Sequence, residues 1–220
     1  MQTPVIKAVL FDFDGVLTTD KTGSLTTARY LSERTGIALS QVQGAFRRFN
    51  EDLTLGKTTH LQIWDDICCD LGRRVSIDLL MEAFESTPMS EPMLRLAKGL
   101  RSSHSVGIVT DNKKDRIDIL KRLHGLPSVF DLIAVSAEVG IRKDDPRLFL
   151  GVLGYLGVRA DECIFIDNMR ENLVAPASLG IKTIHFDDDK QDFKALLAEL
   201  QLHGAIVSGV IGAQRTPWDS

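Results

Sequence analysis

The regular alternation of short apolar runs with stretches of helical periodicity is what most limits the folds open to this chain. After Ser90 the runs are Val106–Val109, Leu132–Val135, Cys163–Ile166 and Thr183–Phe186. The helical stretches around them are Glu91–Arg101, Asp115–Leu123, Pro146–Leu156, Glu171–Leu179 and a last one over 191–202. Residues 5–11 form a further run, continuous and apolar, as in a parallel strand covered on both faces. Strands that alternate with helices specify an α/β fold with a doubly wound parallel sheet.

From Thr18 to about Pro88 the alternation is missing and the pattern is helical. One helix, Ala28–Thr35, stops at Gly36, a residue suited to a left-handed C-terminal cap. Ser40-Gln41-Val42-Gln43 and Thr59-His60-Leu61-Gln62 both fit the capping box that opens a helix. A fourth helix follows Ser76. These features predict a small all-helical domain over 18–89, inserted into an α/β core built from 1–17 and 90–202. The insert leaves and rejoins that core close to the first strand. Residues 203–220 lack periodicity and are expected to form a loosely held tail.

At 220 residues the chain is long enough for such a core with an insert. Its 44% hydrophobic and 25% charged residues suit a soluble globular protein. A net charge of −4 without a basic stripe argues against nucleic acid as a partner. Three cysteines, of which Cys68 and Cys69 are adjacent, make neither a disulfide framework nor a metal knuckle, and a reducing cytoplasm fits best. No signal peptide is expected, and no apolar run approaches the ~20 residues of a membrane span. Oligomeric state is not readable from these features.

The polar residues fall where such a sheet keeps its chemistry. Val9-Leu10-Phe11-Asp12-Phe13-Asp14-Gly15-Val16-Leu17 is an apolar run that ends in two aspartates one residue apart, then a glycine. Side chains at i and i+2 of a strand point the same way, so if the extended backbone persists Asp12 and Asp14 aim at one spot. Carboxylates sharing a site repel unless a cation or a proton lies between them, which invites Mg2+, a hard ion that takes oxygen ligands. Gly15 lets the backbone turn. The same nine residues also describe a strand that merely ends in an acidic turn. The other strand ends decide against that: Thr110 closes the second, Lys143 lies in the loop after the third, and Asp167 closes the fourth. Open α/β sheets bind ligands outside the carboxyl ends of their strands, at a switch in strand order. Chance would scatter these residue types over both ends.

These residues divide the labour of phosphoryl transfer, where catalysis is mostly positioning and charge neutralisation. Asp12 is the expected nucleophile, since an aspartate carboxylate can form an acyl phosphate. Mg2+ would rest on Asp12, Asp167 and a backbone carbonyl near Asp14. The Asp14 side chain, off the metal, would protonate the leaving oxygen and later activate water. Thr110 and the backbone N–H groups after it, that of Asp111 included, would hold phosphate oxygens. Lys143 would add a compact positive charge beside the nucleophile and the phosphoryl group.

Taken in order, the motifs resemble those of haloacid dehalogenase superfamily hydrolases, subfamily I, which carry a helical cap between their first two motifs. Asp12-Phe13-Asp14-Gly15-Val16-Leu17 matches the first, and Val106-Gly107-Ile108-Val109-Thr110 with Asp111-Asn112 resembles the second. Residues 136–146, with the lysine at Lys143, resemble the third. Phe165-Ile166-Asp167-Asn168-Met169-Arg170-Glu171-Asn172-Leu173 resembles the fourth. The resemblance spans 5–186. It implies a Rossmann-like core, a Mg2+-dependent phosphohydrolase with the roles given above, and a cap that closes over the site and selects the substrate. Three positions depart from the pattern. Asp111 stands where a small or amide side chain is usual, Asp144 where proline is, and Asn168 where many relatives carry a second acid. The metal would then rest mainly on Asp167 at this motif, with Asn168 or Asn172 supplying hydrogen bonds or an outer-shell water.

The expected activity is hydrolysis of a small phosphorylated metabolite, a sugar phosphate or a phosphoglycolate-like compound. A 2-haloacid dehalogenase on the same scaffold needs no Mg2+ and leaves Asp14 and Asp167 without a purpose. A phosphomutase shares the aspartyl phosphate but needs sugar-gripping cap residues that cannot be identified in the sequence. A non-catalytic binding protein would be expected to have lost one of Asp12, Asp14, Lys143 or Asp167. His60, His104, His124, His185 and His203 lack metal-ligand spacing and take no catalytic role. Trp64, Phe46 and Phe49 read as cap packing, as does at least one of Cys68 and Cys69, and Asp187-Asp188-Asp189 as a solvated helix start.

Overall fold

A computed structural model of the chain describes residues 5–205. Among these residues five parallel strands form one sheet in the order β3-β2-β1-β4-β5. They are β1 (Ala8–Phe11), β2 (Ser105–Thr110), β3 (Leu132–Val135), β4 (Cys163–Asp167) and β5 (Lys182–His185). Side chains alternate between the two faces. Val9, Phe11, Val106, Ile108, Ile164 and Ile166 pack on one face against α6 (Glu91–Leu100), α7 (Lys114–Leu123) and α11 (Phe193–Leu202). Ala8, Leu10, Val109, Cys163 and Phe165 pack on the other against α9 (Pro146–Leu156) and α10 (Val174–Ser178). A strand covered on both sides must be apolar at every position, which is why these runs are continuous.

The chain builds outward from β1 to β2 and β3, then crosses back to lay β4 and β5 on the other side of β1. Phe11 is level with Ile108 of β2 and Ile166 of β4, so Asp12 emerges between the ends of its two neighbours. The amide of Asp12 still donates to Ile166 O at 2.8 Å, carrying the ladder one residue past the strand.

Between β1 and β2 lie α1 (Gly23–Thr35), α2 (Leu39–Arg47), α3 (Asn50–Thr54), α4 (His60–Asp70) and α5 (Ile77–Glu85). They close on a core of their own that includes Leu31, Val42, Leu53, Ile67, Leu80 and Phe84. The segments that leave and rejoin the sheet pair with each other. Thr19 N donates to Pro88 O at 3.0 Å and Ser90 N to Leu17 O at 2.8 Å, around an antiparallel bridge of Thr18 with Met89. Elsewhere the insert sits on the core through Ser136 Oγ, which donates to Thr54 O at 2.8 Å, and through His60 Nδ1, 2.7 Å from Asp115 Oδ2. No helix among the described residues is long and apolar enough to cross a membrane.

Several local expectations need correction. Extended backbone does not persist past Asp12: the chain coils through 13–17, with Gly15 at φ 78°, a value that favours glycine, and Asp14 leaves the line of the strand. Helix α1 starts at Gly23 and not at Ala28, because Thr22 caps it by accepting from Leu25 N. Thr59 and Gln62 form the expected capping box, whereas Ser40 caps nothing, since α2 has already begun at Leu39. The helix expected over Glu171–Leu179 is a 3₁₀ turn, Arg170–Leu173, followed by α10. Pro176 has no N–H to donate back to Asn172, so an uninterrupted helix would lose a bond there. Of the expected tail, Ala205 is buried and its N–H donates to Leu200 O at 2.9 Å, and residues 206–220 lie outside the described residues.

Candidate active site

A cavity of about 310 Å³ opens at the carboxyl ends of the central strands, beneath the helical insert. Asp12, Asp14, Thr110, Asp111 and Lys143 all line it, so five of the six expected site residues share one space. The sixth, Asp167, is fully buried and joins the others through Lys143.

The Lys143 ammonium lies 2.9 Å from Asp12 Oδ1 and 2.7 Å from Asp167 Oδ2. Asp167 is held from three sides: Met169 N donates to Oδ1 at 2.7 Å, and Asn172 Nδ2 donates to both oxygens at 3.1 and 3.2 Å. Asp12 Oδ1 also accepts from Phe13 N at 2.7 Å, while its Oδ2 has no partner among the described residues. One oxygen of a carboxylate that is 5% exposed and lines the cavity is thus left open. Burial pushes the Asp12 carboxyl up to about 8; the Lys143 ammonium pulls it down and the Asp167 carboxylate pushes it up. Burial alone would lower Lys143, but the carboxylates of Asp12 and Asp167 more than reverse that, so the lysine stays a cation. Thr110 ends β2 and is 1% exposed, with Asn112 Nδ2 3.4 Å from its hydroxyl.

Asp14 does not stand beside Asp12 as an extended strand would place it. Its carboxylate is turned onto Arg116, whose two terminal nitrogens donate to Oδ2 and Oδ1 at 2.9 and 2.8 Å, and onto Asn112, whose Nδ2 donates to Oδ2 at 2.8 Å. Neither Arg116 nor Asn112 stood out in the sequence. The signal for Arg116 was present: it falls on the buried face of α7, four residues before Leu120 and one before Ile117, where a charge needs a partner. Asp111 also behaves unexpectedly. Its side chain accepts from Lys143 N at 3.0 Å and lies 3.4 Å from Arg142 Nε, so the acid is spent on the lysine's own loop.

Among the described residues no three acidic, histidine or cysteine side chains converge into a ready-made cage. Lys143 stands between Asp12 and Asp167, and Asp14 faces Arg116. The donor set nonetheless fits a divalent cation. When both are ionised, the buried carboxyls of Asp12 and Asp167 outnumber the one lysine between them, and Asp12 keeps an oxygen open to the cavity. Asn168 lines the same cavity and has a buried Nδ2 without a hydrogen-bond partner, a group that an ordered water shell would satisfy. Hard oxygen donors of this kind suit Mg2+. Asn168 also explains Gly15, where a Cβ would lie 2.2 Å from that Nδ2.

A parallel sheet of this order, interrupted after its first strand by a helical insert and closing that strand with an acid, places the chain among the doubly wound α/β proteins with an inserted helical domain. Residues 6–180 match the model of the haloacid dehalogenase-like hydrolase family, and the chain belongs to that family. It is 27% identical over 213 residues to bifunctional epoxide hydrolase 2 of Rattus norvegicus; 87% of this chain is matched, but it spans only 38% of that relative's length. Phosphatase MT3486 of Mycobacterium tuberculosis is 26% identical over 218 residues, covering 93% of this chain and 98% of the relative. A haloacid dehalogenase family enzyme of Bacteroides thetaiotaomicron, solved in complex with magnesium and inorganic phosphate, superposes with a TM-score of 0.68 at 22% identity, over 87% of this chain and 98% of that one. At that identity the likeness is one of fold.

Proposed function

We propose that this chain is a Mg2+-dependent phosphatase that hydrolyses a small phosphomonoester, of the sugar phosphate or phosphoglycolate kind, through an aspartyl phosphate on Asp12. The observation that carries the reading is the Asp12 carboxylate: one oxygen is fixed by Lys143 and Phe13 N, and the other is open toward the cavity. The relative named as a phosphatase and the solved relative that holds magnesium and phosphate support the same chemistry.

In the first half-reaction Asp12 Oδ2 attacks phosphorus, the new Oδ2–P bond forms and the ester P–O bond breaks. Asp14 gives its proton to the departing ester oxygen. In the second, water attacks the phosphorus of the acyl phosphate and gives a proton to Asp14, and the Oδ2–P bond breaks to release inorganic phosphate. The Thr110 hydroxyl, the N–H of Asp111 and the Lys143 ammonium hold phosphoryl oxygens in both steps. Asp12, Asp167 and a backbone carbonyl near Asp14 would hold Mg2+, which would supply the charge neutralisation that lets an anionic nucleophile meet an anionic phosphate. Residues 18–89 act as the cap domain on a core of 1–17 and 90–202. The setting is the cytoplasm, and the partner is a free metabolite, with no nucleic acid or membrane involved.

The test is turnover of p-nitrophenyl phosphate with and without Mg2+, for the native chain and Asp12→Asn. The substitution should lower turnover by more than about a thousandfold without changing the circular dichroism spectrum. Turnover in Asp12→Asn equal to that of the native chain would overturn the nucleophile. Metal-independent halide release from 2-chloropropionate would place the chain with the dehalogenases, and phosphoryl return to a hexose 1-phosphate with the mutases.

A further inference from the structure

We propose that Arg116 is a positioning residue that sets the Asp14 carboxylate for proton transfer, and that it does so only while the helical insert is seated on the core. The inference rests on the acid–base role given to Asp14 above.

Arg116 is 2% exposed, in the first turn of α7. Its two terminal nitrogens meet the two oxygens of Asp14 as a fork on a fork, at 2.9 and 2.8 Å. Asn112 closes the arrangement: its Nδ2 donates to Asp14 Oδ2 at 2.8 Å, and its Oδ1 accepts from Arg116 at 3.1 Å. Three donors on two oxygens fix both the position and the plane of the carboxylate. They take three of the four lone pairs of the two oxygens and leave one, on Oδ1, to carry the proton that Asp14 exchanges.

The same guanidinium touches both roots of the insert. Its second terminal nitrogen donates to Thr87 Oγ1 at 3.3 Å, on the segment that returns to the core. On the outgoing side it fills the space over Gly23, the first residue of α1, where a Cβ would lie 2.2 Å from its central carbon. The ring of Phe13 lies 5.7 Å from it on a third side. Its Nε is buried without a hydrogen-bond partner among the described residues. If the insert swings away, Thr87 and Gly23 leave with it, and two of the walls that orient the guanidinium are gone. The setting of Asp14 therefore depends on whether the cavity is covered.

The test measures steady-state kinetics with Mg2+ on two substrates. Glycerol phosphate has an alkoxide leaving group that needs a proton, and p-nitrophenyl phosphate has one that does not. For Arg116→Met we expect kcat on glycerol phosphate to fall on the order of 10- to 100-fold with KM within about threefold, and kcat on p-nitrophenyl phosphate to fall less than about fivefold. Arg116→Lys, which keeps the charge but not the fork, should recover part of the loss. Thr87→Val, which removes a single hydrogen bond and leaves the Arg116–Asp14 pair itself intact, should show a smaller loss with the same preference for the alkyl substrate. In an Asp14→Asn background Arg116→Met should cost nothing further. Equal losses on both substrates, or an additive loss in that background, would overturn the positioning role. An Asp14→Asn protein with undiminished turnover of glycerol phosphate would instead overturn the acid–base role itself, and this proposal with it.

Discussion

The backbone N–H of Lys143 donates to Oδ1 of Asp111 across 3.0 Å. One residue closes the approach from β2 and the other lies in the loop after β3, so the bond ties two strand ends together at the edge of the cavity. An acid beside a phosphate site is unfavourable unless its charge is engaged. Here it is drawn to Lys143 N and to Arg142, 3.4 Å away, and fixes the loop that presents the lysine. A residue expected to depart from the usual pattern thus braces the loop of one expected to follow it.

From this the effect of Asp111 substitutions can be ordered. Asp111→Asn keeps an oxygen for the Lys143 N–H and removes a negative charge, so kcat should stay within about threefold, and inorganic phosphate should inhibit more strongly, by on the order of 1 kcal/mol. Asp111→Ala removes the brace and should lower kcat roughly tenfold. Phosphate inhibition constants measured beside turnover separate the two effects; weaker phosphate inhibition in Asp111→Asn would contradict this account.

Lys143 is the only cation found between Asp12 and Asp167 among the described residues. Lys143→Met leaves two buried carboxylates facing each other and should cost about 3–5 kcal/mol of stability, read from urea denaturation without metal. Adding Mg2+ should recover more stability in the variant than in the native chain, because the variant has the larger deficit of positive charge. Equal responses to the ion would mean that it binds elsewhere.

Asp115 connects the core to the insert through His60. Burial pushes its carboxyl up, but hydrogen bonds and charge from His60, with the Arg116 N–H, hold it below the ordinary carboxylate value. A depressed folded value means stability that is present above the unfolded pKa, ~3.9, and is lost as pH falls through the folded one. Asp115→Asn should therefore cost about 1–3 kcal/mol near pH 7, and the gap to the native chain should close as the medium is taken below pH ~4. Urea midpoints between pH 7 and 3 give the comparison; a gap that widens in acid has the wrong sign.

The three thiols should differ in reactivity for a physical reason. Cys69 is exposed, Cys68 is buried, and burial pushes the Cys163 thiol up to about 12. Only the thiolate attacks, so at pH 8 iodoacetamide should label Cys69 quickly and leave Cys163 untouched until denaturant is added. Peptide mass spectrometry after timed labelling shows the order.

Most of the sheet was legible because both faces of each strand are covered, which forces continuous apolar runs. Leu132–Val135 and Pro146–Leu156 have the bounds their patterns suggest. Thr59 could be read as a cap since its partner Gln62 is three residues on, and Ser40 misled because the same spacing also occurs inside a first turn. Asp12, Thr110 and Asp167 could be singled out from their places at strand ends, and Lys143 from the loop after β3, a property of topology. Arg116 and Asn112 could not, because what makes them matter is a partner about a hundred residues away, Asp14, and local periodicity carries no record of such a contact. Asp14 leaves the line expected of it because the i, i+2 rule holds only while the backbone stays extended, and the chain coils from Phe13 onward.

The antiparallel bridge of Thr18 with Met89 brings the two severed edges of the fold within one strand spacing of each other, about 5 Å. To the sheet, everything from 19 to 88 is therefore a single closed loop whose ends are already tied. Such a loop can be lengthened, shortened or replaced by another without asking the five strands to move. The insert and the sheet are in this way free to change at different rates.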